Sequence, residues 1–218
     1  MGDIFMIYYE RNGNPGFWAE PFNALTNLAF LFAAGFGLQL ARKKQVVSPK
    51  TLLLVATAAT MAVGSFLFHT AANPITMWMD MIPIAFFQIV FLWLASREML
   101  NFSTLAASAF VGTVTVCSFA LMPVHHILNG SLFYIPAVVA VLFLGCLWSV
   151  RSSREPALLL AAGGCFTLAL AARTIDWMTP WSFGSHFVWH LLNGVVVYLG
   201  LRAWIIHLEA RLVLGVQK

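Results

Sequence analysis

The amino-acid sequence predicts an all-α membrane protein, a bundle of seven transmembrane helices with an external N terminus and a cytoplasmic C terminus. Of its 218 residues, 61% are hydrophobic and 9% are charged, whereas charged residues make up about 25% of an ordinary soluble domain. The mean hydropathy of +0.84 indicates the same class. So few charged side chains cannot cover a soluble surface, and the composition therefore excludes a soluble enzyme, a disordered chain and a nucleic-acid-binding protein.

Seven apolar segments are long enough to cross a bilayer, which takes about 20 largely apolar residues. They are 21–41, 51–71, 75–95, 103–122, 131–150, 156–172 and 184–201. Residues 1–20 lack the basic and apolar regions of a signal peptide, so we expect them to form an external N-terminal segment. The loops are too short for a second domain, and we expect residues 1–218 to form a single one.

Basic residues predict the orientation, because cytoplasmic loops are enriched in lysine and arginine. With the N terminus outside, ten basic residues fall on the cytoplasmic side and only Arg11 and Arg173 on the external side. The ten are Arg42, Lys43, Lys44, Lys50, Arg97, Arg151, Arg154, Arg202, Arg211 and Lys218. This bias predicts the N-out, C-in topology and accounts for the sequence pI of 9.2 without a polyanionic partner.

Four ionisable side chains interrupt the apolar spans, and a bilayer penalises such groups unless they serve a function. Asp80 is the one Asp, Glu, Lys or Arg residue within the spans, and His69, His186 and His190 are the three histidines. At about 1.5 Å per residue, all four lie within about 10 Å of the outer face. Each histidine could instead be a hydrogen-bonding group between helices, but their common depth favours a shared site.

The spacing of these histidines is typical of a metal site. His186 and His190 are four residues apart and share a helix face, so both imidazoles can bind one ion. With His69 as the third ligand, a fourth position stays open for water, as in catalytic zinc sites. Zinc lowers the pKa of its water toward about 7 and polarises a carbonyl group. The sequence therefore predicts a hydrolytic zinc centre near the outer face.

Asp80 and Ser65 complete the predicted catalytic set. Asp80 can take a proton from water and return it to a leaving amine; alternatively, it orients a ligand histidine. Ser65 lies one turn before His69, where its hydroxyl can donate to a developing oxyanion or bond a carbonyl of its own helix. Pro83 frees the carbonyl of Met79, and a kink there can aim Asp80.

Oxygen-bearing side chains also cluster in the external N-terminal region. Glu10, Asn12, Glu20 and Asn23 offer carboxylate and amide oxygens, which suit a hard cation such as calcium. Alternatively, these residues cap the first span, since Glu20 directly precedes a proline. The spacing alone favours capping.

Three further polar residues lie on the external side of the predicted spans. Asp176 precedes His186 by ten residues and is either a partner of a metal ligand or a surface carboxylate. His125 and His126 follow the fourth span, where they are either solvated or part of a lid over a substrate. None of the three is required by the predicted zinc centre.

Four motifs along the chain together resemble those of a known family. They are Tyr8-Tyr9-Glu10-Arg11 with Ala19-Glu20-Pro21-Phe22-Asn23-Ala24-Leu25-Thr26-Asn27, Gly64-Ser65-x-x-x-His69 with Asp80, Ile175-Asp176, and His186-x-x-x-His190. The set is similar to that of the alkaline ceramidases, which belong to the CREST group of seven-span metal hydrolases. Adiponectin-receptor-like proteins share the Ser, His and Asp pattern, and the N-terminal motif favours the ceramidases.

The resemblance implies a zinc ion bound by His69, His186 and His190. It implies that Asp80 is the acid and base, and that Ser65 is the partner of the oxyanion or of the water. The implied reaction is hydrolysis of the amide bond of ceramide to a fatty acid and sphingosine.

The resemblance also implies a calcium ion near the N terminus. Glu10, Asn12 and Glu20 match ligand positions, and Tyr8 matches a residue that supplies a carbonyl oxygen. The chain departs from the family at Met6 and Ile7, where an acidic residue is expected.

We therefore expect a zinc-dependent amidase that cleaves ceramide or a related N-acyl lipid. The alternative is a receptor-like protein of the same architecture with little hydrolysis, which the short cytoplasmic loops and tail disfavour. A proton or metal transporter would require ionisable residues through the full depth of the spans, and the inner half carries none. We expect a multi-pass protein of a bacterial inner membrane, with the site near the periplasmic face.

Overall fold

The computed structural model describes residues 7–124 and 127–215, and every regular element in these ranges is helical. The α-helices are α1 (Pro21–Thr26), α2 (Leu28–Lys43), α3 (Pro49–Ala71), α4 (Pro74–Leu94), α5 (Thr104–Ala120), α6 (Ile135–Arg151), α7 (Leu158–Thr174) and α8 (His186–Val213). A π-helical turn continues α4 over Ala95–Met99, and 3-10 helices occupy Met122–Val124 and Asp176–Met178. The segment Ile127–Tyr134 consists of 3-10 turns joined across a kink at Leu128, Asn129 and Gly130, which have positive φ angles. His125 and His126 lie outside the described residues.

The helices have the length and surface of membrane spans. Six helical segments within the described ranges are long and apolar enough to cross a bilayer, and α1 with α2 forms the first of them. The apolar helix α7 has 17 residues, which is near the lower limit for a span of about 17–25 residues. Large apolar side chains face outward, including Leu105 and Val150 at 81% exposure each. An all-α, multi-pass membrane protein follows, as the sequence predicts.

The helix bounds differ from the predicted spans at both ends of the bundle. Asn27 separates α1 from α2 within the predicted span 21–41. The last helix begins at His186 and continues well past residue 201, to Val213. Hydropathy falls beyond residue 201, but Trp204 is 1% exposed, so packing against the bundle maintains the helix there.

Turn chemistry fixes the end of α3 against the start of α4. Ala72 ends α3 in the left-handed conformation, with φ of 37°. Asn73 accepts hydrogen bonds from the backbone N–H groups of Ile75 and Thr76, and Thr76 in turn accepts from the backbone of Asn73. This reciprocal cap satisfies backbone donors that the helix start leaves without partners. The tight turn brings the last residues of α3 beside the first turns of α4.

Glycine allows the closest approach between these two helices. A Cβ atom on Gly64 would lie 1.9 Å from the carbonyl oxygen of Met79, so only glycine fits at this crossing. Gly194 of α8 allows a similar approach to Ala29 of α2, because a Cβ there would lie 2.6 Å from the alanine methyl carbon. Small residues at such crossings are typical of membrane bundles. The two contacts position Ser65 next to Asp80 and His190 next to α1.

Candidate metal centre

Three histidines meet in the buried interior between α3 and α8. One ligand atom of each of His69, His186 and His190 lies within 4.8 Å of the others. The three residues are 0%, 1% and 2% exposed, so the imidazoles face one another away from solvent and lipid. The shared face that the four-residue spacing predicts for α8 is present, and α3 supplies the third ring from the opposite side.

The nitrogen atoms of this cluster fit a transition-metal ion. Nε2 of His69 and Nδ1 of His186 are buried and have no hydrogen-bond partner among the described residues. Buried polar atoms without protein partners are costly in a native fold, and a bound ion or water satisfies them. Three neutral imidazoles are the donor set of open catalytic zinc sites. The described side chains can therefore hold a metal and leave a coordination position for a substrate.

Hydrogen bonds on the far side of the rings orient two of these ligands. Nδ1 of His69 lies 2.6 Å from Oε2 of Glu20. Nδ1 of His190 lies 3.1 Å from Oγ1 of Thr26. A bond at Nδ1 leaves Nε2 free for a metal, and carboxylate partners also raise the basicity of the ring. The sequence alone does not single out Thr26 as a site residue, and it leaves Glu20 either in a calcium site or as a cap of the first span.

Asp80 and Ser65 face each other beside the cluster. Both are buried, at 8% and 2% exposure, and Ser65 is close enough to the Asp80 carboxylate to stabilise its charge. Oδ1 of Asp80 has no partner among the described residues. Asp80 is close enough to His69 for an electrostatic interaction, but it is not part of the group of donor atoms within 4.8 Å. It therefore lies beside the histidine cluster and outside its set of donor atoms.

The residues expected to bind calcium have other partners. Both carboxylate oxygens of Glu10 accept backbone N–H groups, from Phe22 and Asn23, at 2.8 Å each. These bonds cap α1, which is the alternative that the sequence left open. Asn12 is exposed, and the carbonyl oxygen of Tyr8, its expected donor atom, accepts the backbone N–H of Asn12 at 3.3 Å.

The guanidinium group of Arg11 supplies a positive charge at the expected calcium position. Arg11 is 2% exposed, and its Nε donates to Oε1 of Glu20 at 2.5 Å. Its other nitrogens donate to backbone carbonyls. These are the carbonyls of Asn14, Gly16, His69 and Thr70, at 2.9–3.3 Å. Because this cation already occupies the Glu20 carboxylate and nearby carbonyls, the residues do not fit a calcium ion.

The charge of Glu20 is stabilised by its neighbours. Burial raises the pKa of Glu20, but its electrostatic interaction with His69 and hydrogen bonds from His69, Asn23 and Arg11 outweigh burial and hold the pKa below its usual value. The carboxylate therefore stays ionised while it bonds a ligand histidine. Glu20 links Arg11 to His69 and so joins the N-terminal segment to the metal centre.

Asp176 anchors the start of α8. It is fully buried, and it accepts the backbone N–H groups of Ser185 at 2.7 Å, His186 at 2.8 Å and Tyr9 at 2.9 Å. Of the two roles that the sequence allows, the surface carboxylate is wrong. A Cβ on Gly184 would lie 2.4 Å from Asp176, and its φ of 63° also favours glycine. Asp176 thus sets the backbone that carries His186.

Aromatic side chains and Arg173 form the remaining wall of the centre. The ring of Tyr8 stacks on His186, with centroids 3.8 Å apart and planes 21° apart. Its hydroxyl accepts a hydrogen bond from Nη1 of Arg173 at 3.1 Å. Burial raises the pKa of the Tyr8 hydroxyl, so it stays protonated at neutral pH. Sequence reasoning treated Arg173 only as a loop charge, because its contacts depend on the folded N-terminal segment.

Comparison with known proteins gives one family. The family model described as Ceramidase matches residues 15–175, well over half of the chain. The matched region contains Ser65, His69 and Asp80, and it ends before His186 and His190. No curated protein and no solved structure gives a significant match.

Proposed function

The chain belongs to the ceramidase family, and from this premise we propose a zinc-dependent integral-membrane amidase. It hydrolyses the N-acyl bond of ceramide or a related N-acyl lipid and releases a fatty acid and the sphingoid or other amine base. Family membership itself indicates a hydrolase that acts on a membrane lipid. The observation that carries the finer proposal is the cluster of three buried histidines, with ligand atoms within 4.8 Å of one another.

Zinc is the metal that suits this donor set. Three imidazoles without a thiolate or carboxylate ligand leave an open position, which is the pattern of hydrolytic zinc enzymes. When bound, zinc would polarise the amide carbonyl and make water more acidic. His69, His186 and His190 would hold it, while Glu20 and Thr26 fix the rings of His69 and His190. Calcium is not included, because Arg11 occupies the Glu20 carboxylate.

Asp80 carries the proton through the reaction. It accepts a proton from the attacking water as the C–O bond forms, and it returns that proton to the amine nitrogen as the C–N bond breaks. Ser65, which lies close to Asp80, donates to the developing oxyanion or orients the water. Their burial excludes bulk water and strengthens both interactions.

A lipid substrate and an outward-facing site are consistent with the bundle. All three histidines lie near one end of their helices, next to the turn from α3 to α4 and the start of α8. Ion pairs between Lys44 and Glu209 and between Arg202 and Glu155 lie at the other end. With the basic residues inside, we propose one seven-span domain, N-out and C-in, with the site near the periplasmic face of a bacterial inner membrane.

Metal analysis combined with an activity assay tests this function. Purified protein is expected to contain about one zinc ion per chain and to release fatty acid from ceramide within a panel of N-acyl lipids. His69→Ala, His186→Ala and His190→Ala should each lose metal and activity together, whereas the control His207→Ala, far along α8, should retain both. A folded protein that binds zinc but hydrolyses no member of the panel would favour the receptor-like alternative.

A further inference from the structure

Arg173 is a buried cation that has no acidic partner among the described residues. It lies near the C-terminal end of α7 and is 9% exposed. No Asp or Glu oxygen of the described chain lies within 4.0 Å of its guanidinium. Its Nε has no hydrogen-bond partner among the same residues. A buried charge is costly unless it is paired, and no described carboxylate lies at ion-pair distance, so this group is placed to bind an anionic ligand.

Aromatic rings hold the guanidinium in place. Its central carbon lies 5.4 Å from the ring centroid of Tyr8, 5.5 Å from that of Tyr134 and 5.4 Å from that of Trp189. Cation–π contacts of this kind offset part of the cost of burial and restrict the side chain without neutralising it. A rigid cation with free hydrogen-bonding capacity is a recognition element for a carboxylate or phosphate.

Arg173, within an aromatic cage formed by Tyr8, Tyr134 and Trp189, lies beside the histidine cluster. Tyr8 stacks on His186, and Trp189 lies between the two ligand histidines of α8 in sequence. Arg173 is close enough to Asp80, His186 and His190 for electrostatic interactions with each of them. The proton transfers proposed above use neither Arg173 nor its ring contacts. A group bound by Arg173 would therefore lie next to the reacting amide.

An apolar cavity adjoins the aromatic cage at Tyr134. It lies between α4, α5 and the Ile127–Tyr134 segment, and its walls include Tyr134, Phe133, Phe119 and Ile89. Tyr134 belongs to both the cage and the cavity wall. A ligand with one anionic end and one hydrocarbon chain matches this arrangement, because the charge can meet Arg173 while the chain occupies apolar surface.

We propose that Arg173 binds the carboxylate of the fatty acid released by hydrolysis, an assignment that rests on the proposed function. The substrate amide is neutral. When water adds its oxygen to the acyl carbon and the C–N bond breaks, the acid product gives its remaining proton to the released amine and becomes an anion. Arg173 therefore favours the product over the substrate. The fatty acid should leave slowly and inhibit the enzyme, and Arg173 is a product-binding residue for the proposed reaction.

Equilibrium binding tests this assignment without turnover. Dodecanoate and the uncharged 1-dodecanol, which have equal chain lengths, are titrated into purified zinc-loaded protein, and binding is measured by calorimetry. Wild type should bind dodecanoate at least about tenfold more tightly than dodecanol, since one charge-assisted pair supplies at least that factor. Arg173→Gln should abolish the preference, Arg173→Lys should retain part of it, and the distant control Arg202→Gln should retain all of it. Zinc content is measured for every variant.

The outcomes separate this inference from the proposed function. If wild type does not distinguish acid from alcohol, or if Arg173→Gln retains zinc and the preference, Arg173 does not bind the carboxylate. Wild type and Arg173→Lys still decide the question if Arg173→Gln does not fold. A preference that depends on Arg173 in a protein without amidase activity would uphold the site and overturn the reaction.

Discussion

Oε2 of Glu20 lies 2.6 Å from Nδ1 of His69, so a carboxylate of the N-terminal segment bonds a ligand histidine of α3. The pair joins two residues that 49 positions separate in sequence. It fixes the tautomer of His69 with Nε2 available for a metal. Loss of this hydrogen bond should therefore be measurable as weaker metal binding.

Glu20→Gln should weaken metal binding without removing a ligand. Losing a carboxylate partner of a ligand histidine typically costs about 10–100-fold in metal affinity or activity. Zinc affinity is measured by competition with a chelator, and Glu98→Gln at the opposite end of the bundle is the control. Equal affinity in wild type and Glu20→Gln would show that the pair does not support the metal.

Asp80→Asn should lose turnover while most of the metal remains bound. The amide keeps the shape of the side chain but cannot take a proton, and general acid–base groups contribute about 10²–10⁴-fold. Fatty-acid release and zinc content are measured on the same preparation, with Glu209→Gln as the control. If zinc and activity fall together, Asp80 is a ligand or a structural group instead.

Calcium should leave the protein unaffected. Because Arg11 already bonds Glu20 and four carbonyl groups, thermal stability and activity should be the same in calcium and in a calcium-selective chelator. Removing the buried cation leaves Glu20 with one fewer partner, so Arg11→Met should lower Tm by about 5 °C or more. Arg154→Met, on the exposed surface, should change Tm little. A rise in wild-type Tm on adding calcium contradicts the assignment.

Gly64→Ala should separate α3 from α4. The new methyl carbon would lie 1.9 Å from the Met79 carbonyl oxygen, and overpacking typically costs about 1–3 kcal/mol. Thermal stability and activity should both fall, because the same crossing positions Ser65 and Asp80. Gly112→Ala is the matched control, since a Cβ there meets no atom within 4 Å. Similar effects of the two substitutions would argue against a specific role for the crossing.

Helical periodicity and span depth were enough to predict that His69, His186 and His190 could meet. Both can be read from the sequence. Side chains four residues apart lie on the same face of a helix, and the distribution of basic residues predicts which end of each span faces outward. The partners of the site could not be predicted in this way. Glu20 and Arg173 acquire their roles only when residues 7–20 fold over the ends of α3 and α8.

The calcium expectation shows the limit of spacing arguments. Glu10, Asn12 and Glu20 have a donor pattern suited to a hard cation, but spacing does not reveal which donors already have partners. Arg11 lies within the same motif, and its guanidinium reaches Glu20 and the end of α3. A basic residue inside a proposed cation site is the signal that could have predicted this outcome.

The three histidines that we propose as metal ligands are distributed between α3 and α8, the last helix of the described chain. During synthesis His69 enters the bilayer long before His186 and His190 emerge from the ribosome. Stable metal loading must therefore wait until α8 has inserted and docked. An intermediate arrested after α7 would contain His69 and Glu20 but not His186 and His190. The completed apoprotein should differ from this intermediate because its α7–α8 connection is protected from proteases.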